Sequence, residues 1–259
     1  MSVWLAAADT EPEPACRFGC CLPVSPLLAW HLITTCTRLG SLVIDIDATD
    51  HAVLSSALTP GCRAVATFTD PARAHLAWQA LQRLHPGHDL DVADLRIAPG
   101  QDADQVLTDL LGTADLVIAR HHGHPSHLDD REGDHLSAQP KGISRLAALL
   151  AAGGHLVIVT GLHRADEYVR DPAPDIIRRA QQAGLTYLQH IVALHLPVQA
   201  GRLEPPPTWR VPTPEPAPAR CAGMPISVRL HTDVLIFNKP RRTSRTADRS
   251  ITDPGGQRS

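Results

Sequence analysis

The segment Ser41-Leu-Val-Ile-Asp-Ile-Asp-Ala-Thr-Asp50 decides which fold we expect. An apolar, β-branched run leads directly into an acidic turn, and Pro26–Cys36 before it has the spacing of a helix, with Ser25 as a candidate N-cap. A buried strand that ends in Asp is how many α/β folds begin a site for a nucleotide or nucleoside. Such sites usually carry glycines in this turn, and this turn has none. The segment therefore predicts the framework of such a site with an altered turn.

The composition limits the classes of function. The chain has 259 residues, 43% of them hydrophobic, which suffices for one large α/β domain. Its net charge of -3 provides no general basic field, so any contact with nucleic acid must be local. Aromatic residues make up only 3%, which argues against stacking platforms for single strands. Because the sequence has neither a membrane-length apolar run nor a charged-then-apolar leader, we expect a cytoplasmic protein with no membrane partner.

Strands and helices alternate through most of the chain. Predicted strands lie at residues 42–46, 63–69, 90–95, 114–119, 155–160, 187–196, 226–230 and 232–237, and predicted helices at 26–36, 51–58, 71–84, 102–111, 143–152 and 175–183. In this pattern Gly153-Gly154 stops a helix and Gly184 is a left-handed cap. The alternation predicts an α/β, doubly wound, mostly parallel sheet, with antiparallel strands at the C-terminal end.

The composition divides the chain into three segments. We expect a flexible N-terminal arm at residues 1–21, one domain at 22–240 with a proline-rich loop at 205–218, and a disordered basic tail at 241–259. The tail is either a sequence-independent phosphate contact or simply a solvated segment.

The ends of the central strands are expected to share one crevice. In open α/β sheets, ligands bind outside the carboxyl ends of the strands. The turns that follow Ile46, Thr69 and Ala119 meet at that edge.

Four segments follow the pattern of one enzyme family. Leu39-Gly-Ser-Leu-Val-Ile-Asp-Ile-Asp-Ala-Thr-Asp50 is similar to G-D-x-V-x-D-P-F-x-G-x-G, and Gly153-Gly-His-Leu-Val-Ile-Val159 is similar to G-G-x-L-V-V-V. Residues 171–185 are similar to D-x-x-x-x-I-x-x-A-x-x-A-G-L, and His231-Thr-Asp-Val-Leu-Ile-Phe-Asn-Lys-Pro240 is similar to H-E-D-V-L-V-F-x-K-P. Residues 22–240 thus resemble a Rossmann-fold (class I) S-adenosylmethionine-dependent methyltransferase, specifically the bacterial DNA methylases that modify adenine N6 or cytosine N4.

The resemblance implies S-adenosyl-L-methionine as cofactor and four acidic residues around it. Asp45 matches the acid of the first motif, and Asp47 follows it in the same turn. Asp70 is the nearest carboxylate to the position that holds the ribose hydroxyls in the family. Asp94 corresponds to the acid that follows the third strand and reads the adenine amine.

A simpler interpretation of the acidic turn stays open. Asp45, Asp47 and Asp50 precede a predicted helix, where carboxylates cap the free N–H groups and meet the positive end of the helix dipole.

The catalytic motif of the family is replaced. The family strand D-L-V-V-T-S-P-P-Y corresponds to Asp115-Leu-Val-Ile-Ala-Arg-His-His-Gly123, so the catalytic tetrapeptide becomes Arg120, His121, His122 and Gly123. Family members accept hydrogen bonds from the target amine beside a stacking aromatic ring. Arginine only donates, and glycine cannot stack on a flipped base.

A cluster of cysteines and a cluster of histidines are the candidate metal ligands. Cys16, Cys20 and Cys21 lack a paired C-x-x-C spacing, which favours reduced thiols over zinc. The histidines at 121–135 favour a solvated loop over a zinc or nickel site. The sequence therefore predicts no metal.

Two hypotheses of function follow. The first is a methyltransferase-like protein related to bacterial DNA N-methylases with decayed or altered activity, and DNA as its partner. The alternative is a non-catalytic scaffold or regulatory protein that keeps the fold, with an active methylase or another protein as its partner. The sequence does not decide whether the chain is an enzyme or a pseudoenzyme.

Overall fold

The computed structural model describes residues 2–5, 24–98, 102–121, 140–161, 163–165, 168–194, 198–199, 202–203 and 231–241. Its strands are β1 (Ser2–Leu5), β2 (Leu42–Ile46), β3 (Arg63–Phe68), β4 (Ala93–Ile97), β5 (Ala114–Arg120), β6 (Leu150–Thr160), β7 (His163–Ala165), β8 (Tyr168–Arg170), β9 (Thr186–Leu194), β10 (Val198–Gln199), β11 (Arg202–Leu203) and β12 (His231–Asn238). Its α-helices are α1 (Pro26–Cys36), α2 (Ala52–Leu58), α3 (Pro71–Leu84), α4 (Gly87–Leu90), α5 (Pro140–Leu149) and α6 (Ala173–Gln182), and a 3-10 helix spans Asp102–Leu110.

Eight strands form one mixed sheet in the order β1-β9-β12-β6-β5-β2-β3-β4. β12 lies antiparallel between β6 and β9, and every other neighbouring pair in this sheet is parallel. The chain order reverses between β2 and β5, which is the switch point where such sheets bind ligands. This confirms the predicted doubly wound, mostly parallel sheet with an antiparallel C-terminal strand.

Helices cover the two faces of the sheet and bury separate apolar layers. One layer joins α1, α2 and α3 to the face that carries Val43, Leu116 and Val157. The other joins α5, α6 and the 3-10 helix to the face that carries Ile44 and Val117. The central strands are therefore buried on both sides, as their continuous apolar sequences predict.

The predicted helix starts are present. The Ser25 Oγ accepts a hydrogen bond from the Leu28 N–H at 3.1 Å, and α1 begins at Pro26. Asp70 accepts from the Ala72 N–H at 2.8 Å and begins α3 in the same way. The caps satisfy N–H groups that have no partner inside the helix.

The N-terminal segment is not irregular throughout. Ser2–Leu5 forms β1, which pairs in parallel with β9 and extends the sheet by one strand, so the predicted arm is wrong at these residues. Trp4 packs on the core, with its ring centroid 5.5 Å from that of His31. A pairing partner nearly two hundred residues away leaves no local signal in the sequence.

The predicted glycine stop before β6 is also wrong. α5 ends at Leu149 and the strand begins at Leu150, so both glycines lie inside β6. Gly153 has a φ of 89°, and a side chain at Gly154 would meet the carbonyl oxygen of Ala114 at 2.6 Å. Gly154 thus allows a close approach of β6 to β5.

In the part of the chain that the structure describes, no helix is long and apolar enough to cross a membrane.

The close approach at Gly154 predicts a large difference between two glycine substitutions. Gly154→Ala places its methyl group against three carbonyl oxygens, the nearest at 2.6 Å, whereas Gly87→Ala meets nothing within 4 Å. We expect Gly154→Ala to lower the free energy of unfolding by about 1–3 kcal/mol, the usual cost of overpacking. Gly87→Ala should change it by less than about 0.5 kcal/mol. Urea unfolding measures both, and equal effects would contradict the close approach.

Candidate functional site

The predicted cofactor turn and the predicted catalytic segment meet at the carboxyl edge of the sheet. β2 and β5 are parallel neighbours, with Asp45 opposite Ile118 and Ile46 opposite Ala119. The turn at 47–50 and the segment that begins at Arg120 therefore leave the sheet side by side. This is the arrangement expected of a ligand crevice at the switch point.

Arg120 and Asp45 form a buried ion pair across these two strands. The guanidinium Nη1 donates to Asp45 Oδ1 at 2.8 Å, and Nη2 lies 3.4 Å from Oδ2. The side chains are only 3% and 1% exposed. The residue predicted at the catalytic position is therefore the partner of the residue predicted at the cofactor position, and the two side chains are buried against each other.

The same guanidinium also holds the turn after β2. Nη1 lies 3.4 Å from the carbonyl oxygen of Ile46 and 3.3 Å from that of Asp47. Asp47 has a φ of 54°, a left-handed conformation that glycine normally supplies. Its N–H donates to the hydroxyl of Thr67 at 2.9 Å, and the N–H of Ala48 donates to the Thr67 carbonyl at 2.7 Å. Thr67 and Arg120 thus stabilise a glycine-like turn made of other residues.

Burial dominates the electrostatics of this pair. Burial raises the pKa of Asp45 to about 6, although the Arg120 guanidinium opposes the rise, and the charges of Asp50 and Asp47 add to it. Burial alone would lower the pKa of Arg120, but the carboxylate of Asp45 outweighs this effect and raises it. The arginine therefore stays charged, and the carboxyl group is the member of the pair that can change its protonation.

Two other acids of the crevice bind N–H groups at helix starts. Asp50 lies one residue before His51, the N-cap of α2, and its Oδ1 accepts from the Ala52 N–H at 2.7 Å. Asp70 Oδ1 accepts from the Ala72 N–H, and its Oδ2 lies 4.0 Å from Arg73 Nε. Asp70 begins a helix at the carboxyl edge of the sheet, so its predicted contact with the ribose hydroxyls remains a proposal.

Asp94 does not lie where the resemblance places it. It is inside β4, before Ile97 at the strand end, and its carboxylate accepts from Arg96 Nε at 2.8 Å. Arg96 also binds Asp109 of the 3-10 helix, with Nη2 2.8 Å from Oδ2. β4 spans Ala93–Ile97 rather than the predicted 90–95, and Asp94 lies inside it, so the predicted contact of Asp94 with the adenine amine remains a proposal. Asp94 joins a cluster that attaches the 3-10 helix to the sheet.

His121 is the other described residue of the predicted catalytic segment. Its N–H donates to the Val159 carbonyl at 2.8 Å, and its Nδ1 lies 3.4 Å from the hydroxyl of Thr160. His122, Gly123 and the histidines up to 135 lie outside the described residues. Within the described ranges, no three His, Cys, Asp or Glu side chains are placed to hold a metal ion.

A further polar pair, which the sequence did not predict, joins β9 and β12. His190 Nε2 lies 2.8 Å from Asp233 Oδ1, and His231 Nε2 lies 3.9 Å from Asp233 Oδ2. The two residues of the pair come from β9 and β12, which are far apart in sequence. The signal available in the sequence was a charged residue inside an otherwise apolar strand, since Asp233 interrupts the run that continues to Phe237.

No protein-family model matches the sequence, and no curated protein matches it either. Solved structures with the same fold do match this chain. One is a chain of the Haloferax volcanii complex between the Trm112 methyltransferase activator and a putative methyltransferase (TM-score 0.54, 13% identity, 83% of this chain and 88% of that chain). Another is the cyclase SpnF (TM-score 0.52, 14% identity, 85% and 83%). A third is a putative methyltransferase complexed with SAH (TM-score 0.53, 12% identity, 82% and 48%). The chain is thus similar in fold to class I S-adenosylmethionine-dependent methyltransferases.

Removal of the guanidinium should leave a buried carboxylate without its partner. We expect Arg120→Met to lower the free energy of unfolding at pH 8 by about 3–5 kcal/mol. The double variant Asp45→Asn with Arg120→Met should recover most of this loss, because it removes both charges. Arg178→Met, which breaks an ion pair whose side chains are 56% and 48% exposed, should cost about 0.5 kcal/mol or less. Denaturant unfolding of the four proteins measures these values, and a double variant no better than the single one would contradict the pairing.

The Asp45 carboxyl group should titrate near pH 6, which carbon-13 NMR of labelled aspartates can detect. Its ordinary pKa is about 3.9, so the folded protein binds this proton more tightly than the unfolded chain does. The stabilisation from this proton is complete below about pH 4 and is lost as the pH rises through about 6. Arg120→Met should raise this pKa further, since the guanidinium opposes the rise. A pKa of Asp45 at or below its ordinary value would show that the ion pair with Arg120 outweighs burial.

Proposed function

We propose that the protein is an S-adenosylmethionine-dependent methyltransferase-like protein, related to the bacterial DNA N-methylases, whose activity is altered. The ion pair between Arg120 and Asp45 carries this proposal. It joins the catalytic position to the cofactor position within the intact framework of the fold.

The family's amino methylation requires hydrogen-bond acceptors for the target amine. Arg120 offers only donors, and its Nη1 already binds Asp45 and the carbonyl oxygens of Ile46 and Asp47. A charged guanidinium near the sulfonium also opposes a cationic cofactor at that position. We therefore infer that adenine and cytosine amino groups are not methylated at this position.

The acidic turn still favours a cationic ligand. Asp45, Asp47 and Asp50 place three carboxyl groups against the one guanidinium of Arg120. The sulfonium and ammonium groups of S-adenosylmethionine carry positive charge that such a turn attracts. Because Asp45 is paired and buried, Asp47 is the acid that we assign to the cofactor, with Asp70 on the neighbouring strand end.

The non-catalytic scaffold is the second candidate function, and the burial of Arg120 favours it. A side chain that is 3% exposed and bound to the turn serves structure rather than turnover. Partners under this candidate are an active methylase or another protein. DNA as a partner and a cytoplasmic location remain proposals under the first candidate.

Calorimetric titration separates the two candidates. Under the first, S-adenosylmethionine and S-adenosylhomocysteine both give saturable heat, because the cofactor site is kept. With S-adenosylmethionine that carries a tritiated methyl group, we expect no transfer of label to the amino nitrogens of random-sequence DNA. If neither ligand gives heat with a protein that unfolds cooperatively, the scaffold candidate is supported. If adenine or cytosine amino groups become labelled, the inference that these amines are not methylated is wrong.

A matched pair of variants locates the site. Asp47→Asn should weaken S-adenosylmethionine binding roughly threefold to fivefold, since a partly exposed ion pair contributes about 1 kcal/mol or less. Asp91→Asn is the control, because Asp91 is exposed and precedes β4 at the opposite edge of the sheet. Unchanged affinity in Asp47→Asn would mean that the cofactor does not meet this turn.

A further inference from the structure

A serine, a histidine and an aspartate lie together where α2, α3 and α4 meet. Ser55 of α2 and His85, the C-cap of α3, form a hydrogen bond in which the Ser55 Oγ lies 2.8 Å from Nε2 of the ring. Asp89 of α4 is on the other side of that ring, with its Oδ2 3.9 Å from Nδ1. These three residues, which we call the serine cluster, belong neither to the motifs of the sequence nor to the crevice.

The serine cluster is remote from the crevice. Helices that connect parallel strands run back from the carboxyl edge of the sheet to the edge where the next strand begins. His85 directly follows α3, and Asp89 comes four residues before β4 begins. The cluster therefore lies toward the amino edge of the sheet, whereas Arg120 and the turn at 47–50 lie at the carboxyl edge. Chemistry at the cluster does not involve a ligand of the crevice.

The two partners of His85 set the proton positions on its ring. A carboxylate on the Nδ1 side favours the tautomer with its proton at Nδ1, so the lone pair of Nε2 accepts the hydroxyl hydrogen of Ser55. The distance of 3.9 Å to Asp89 exceeds a hydrogen bond, and the carboxylate therefore acts on the ring through its charge. That charge stabilises the imidazolium that forms when Nε2 takes a proton.

Burial shields the base while part of Ser55 stays accessible. The His85 side chain is only 8% exposed, so water competes little for its hydrogen bond to the serine. Ser55 itself is half-buried. A hydroxyl group that is hydrogen-bonded to a base, with a third group that orients the base, is the arrangement of an activated nucleophile. The cluster therefore has the parts needed to transfer an acyl group.

The chain beside the serine cluster carries exposed apolar side chains. Leu84 directly precedes His85 and is 59% exposed. Val92 is 42% exposed, and its N–H lies 3.5 Å from the carbonyl oxygen of Asp89. Apolar side chains that face water gain free energy when an apolar group covers them. An ester with an apolar acyl or aryl group matches both features, because its carbonyl carbon is the target of the serine.

We propose that Ser55 is the nucleophile of an esterase activity toward apolar esters, with His85 as its general base and Asp89 as the positioning residue. The Ser55 Oγ forms a bond to the carbonyl carbon, and its proton moves to Nε2 of His85. The bond from that carbon to the leaving oxygen breaks, the electron pair stays on that oxygen, and the imidazolium returns the proton to it. Water then attacks the acyl-serine, His85 passes a proton of the water to Oγ, and the carboxylic acid is released.

Two probes report on the activated hydroxyl of Ser55. 4-Nitrophenyl butyrate is an aryl ester whose nitrophenolate leaves readily, so its cleavage depends mainly on the nucleophile and the base. An alkyl fluorophosphonate forms a bond from Oγ to phosphorus as fluoride leaves, and it modifies activated serines rather than ordinary ones. The full chain, without S-adenosylmethionine, should release nitrophenolate and should carry the phosphonyl group on Ser55 in peptide mapping by mass spectrometry.

Three variants separate catalysis from a structural role. Ser55→Ala should lose both reactions. His85→Gln keeps a hydrogen-bonding side chain beside the serine but has no base, and it should slow both reactions by about 100-fold or more, the usual scale of general-base catalysis. Asp89→Asn should slow them by roughly fivefold or less, since the charge of Asp89 is partly exposed, and Asp89→Glu should restore the rate.

The controls give each outcome one meaning. His75→Ala removes an exposed histidine of α3 and should leave both rates unchanged, which excludes ester cleavage by surface imidazoles. The mapping of the unsubstituted protein identifies the modified residue even if Ser55→Ala unfolds. A phosphonyl group on another residue, or on none in a protein that unfolds cooperatively, overturns the proposal. Rates that are unchanged in His85→Gln overturn the role of His85 as the base.

Discussion

The buried ion pair between Arg120 and Asp45 is the constraint on which the crevice depends. Two charges taken out of water cost several kcal/mol each, and only close pairing with further hydrogen bonds offsets that cost. The structure meets this requirement by turning the carbonyl oxygens of Ile46 and Asp47 toward the guanidinium. The ends of β2 and β5 and the turn between 47 and 50 are therefore held as one unit.

This coupling explains why the chain departs from its resemblance in two places. The turn after β2 lacks the family's glycines, and the segment after β5 lacks its catalytic tetrapeptide. In the structure these are not independent changes, since Arg120 from one segment stabilises the backbone of the other. Asp47 adopts the left-handed conformation of a glycine, and Thr67 on β3 satisfies its N–H. The framework of the fold is kept while the contacts inside the crevice are exchanged.

A methyltransferase fold does not by itself define a reaction, because function lies in the site rather than in the framework. The solved structures of this fold include chains described as methyltransferases and one described as a cyclase. In this chain, Arg120 and Asp45 bind each other at the crevice, so the contacts of the site differ from those of the family that the sequence resembles although the framework is kept.

The sequence by itself determined the alternation of strands and helices and the starts of α1 and α3, because hydrophobic periodicity, proline and capping residues act over a few neighbours. It also placed Asp45 and Arg120 near strand ends that share one crevice. Only the tertiary structure decided that these two side chains bind each other, that Ser2–Leu5 joins the sheet, and that Asp233 meets His190. These contacts join residues that are 43 or more positions apart, and their energies depend on burial, which no local pattern specifies.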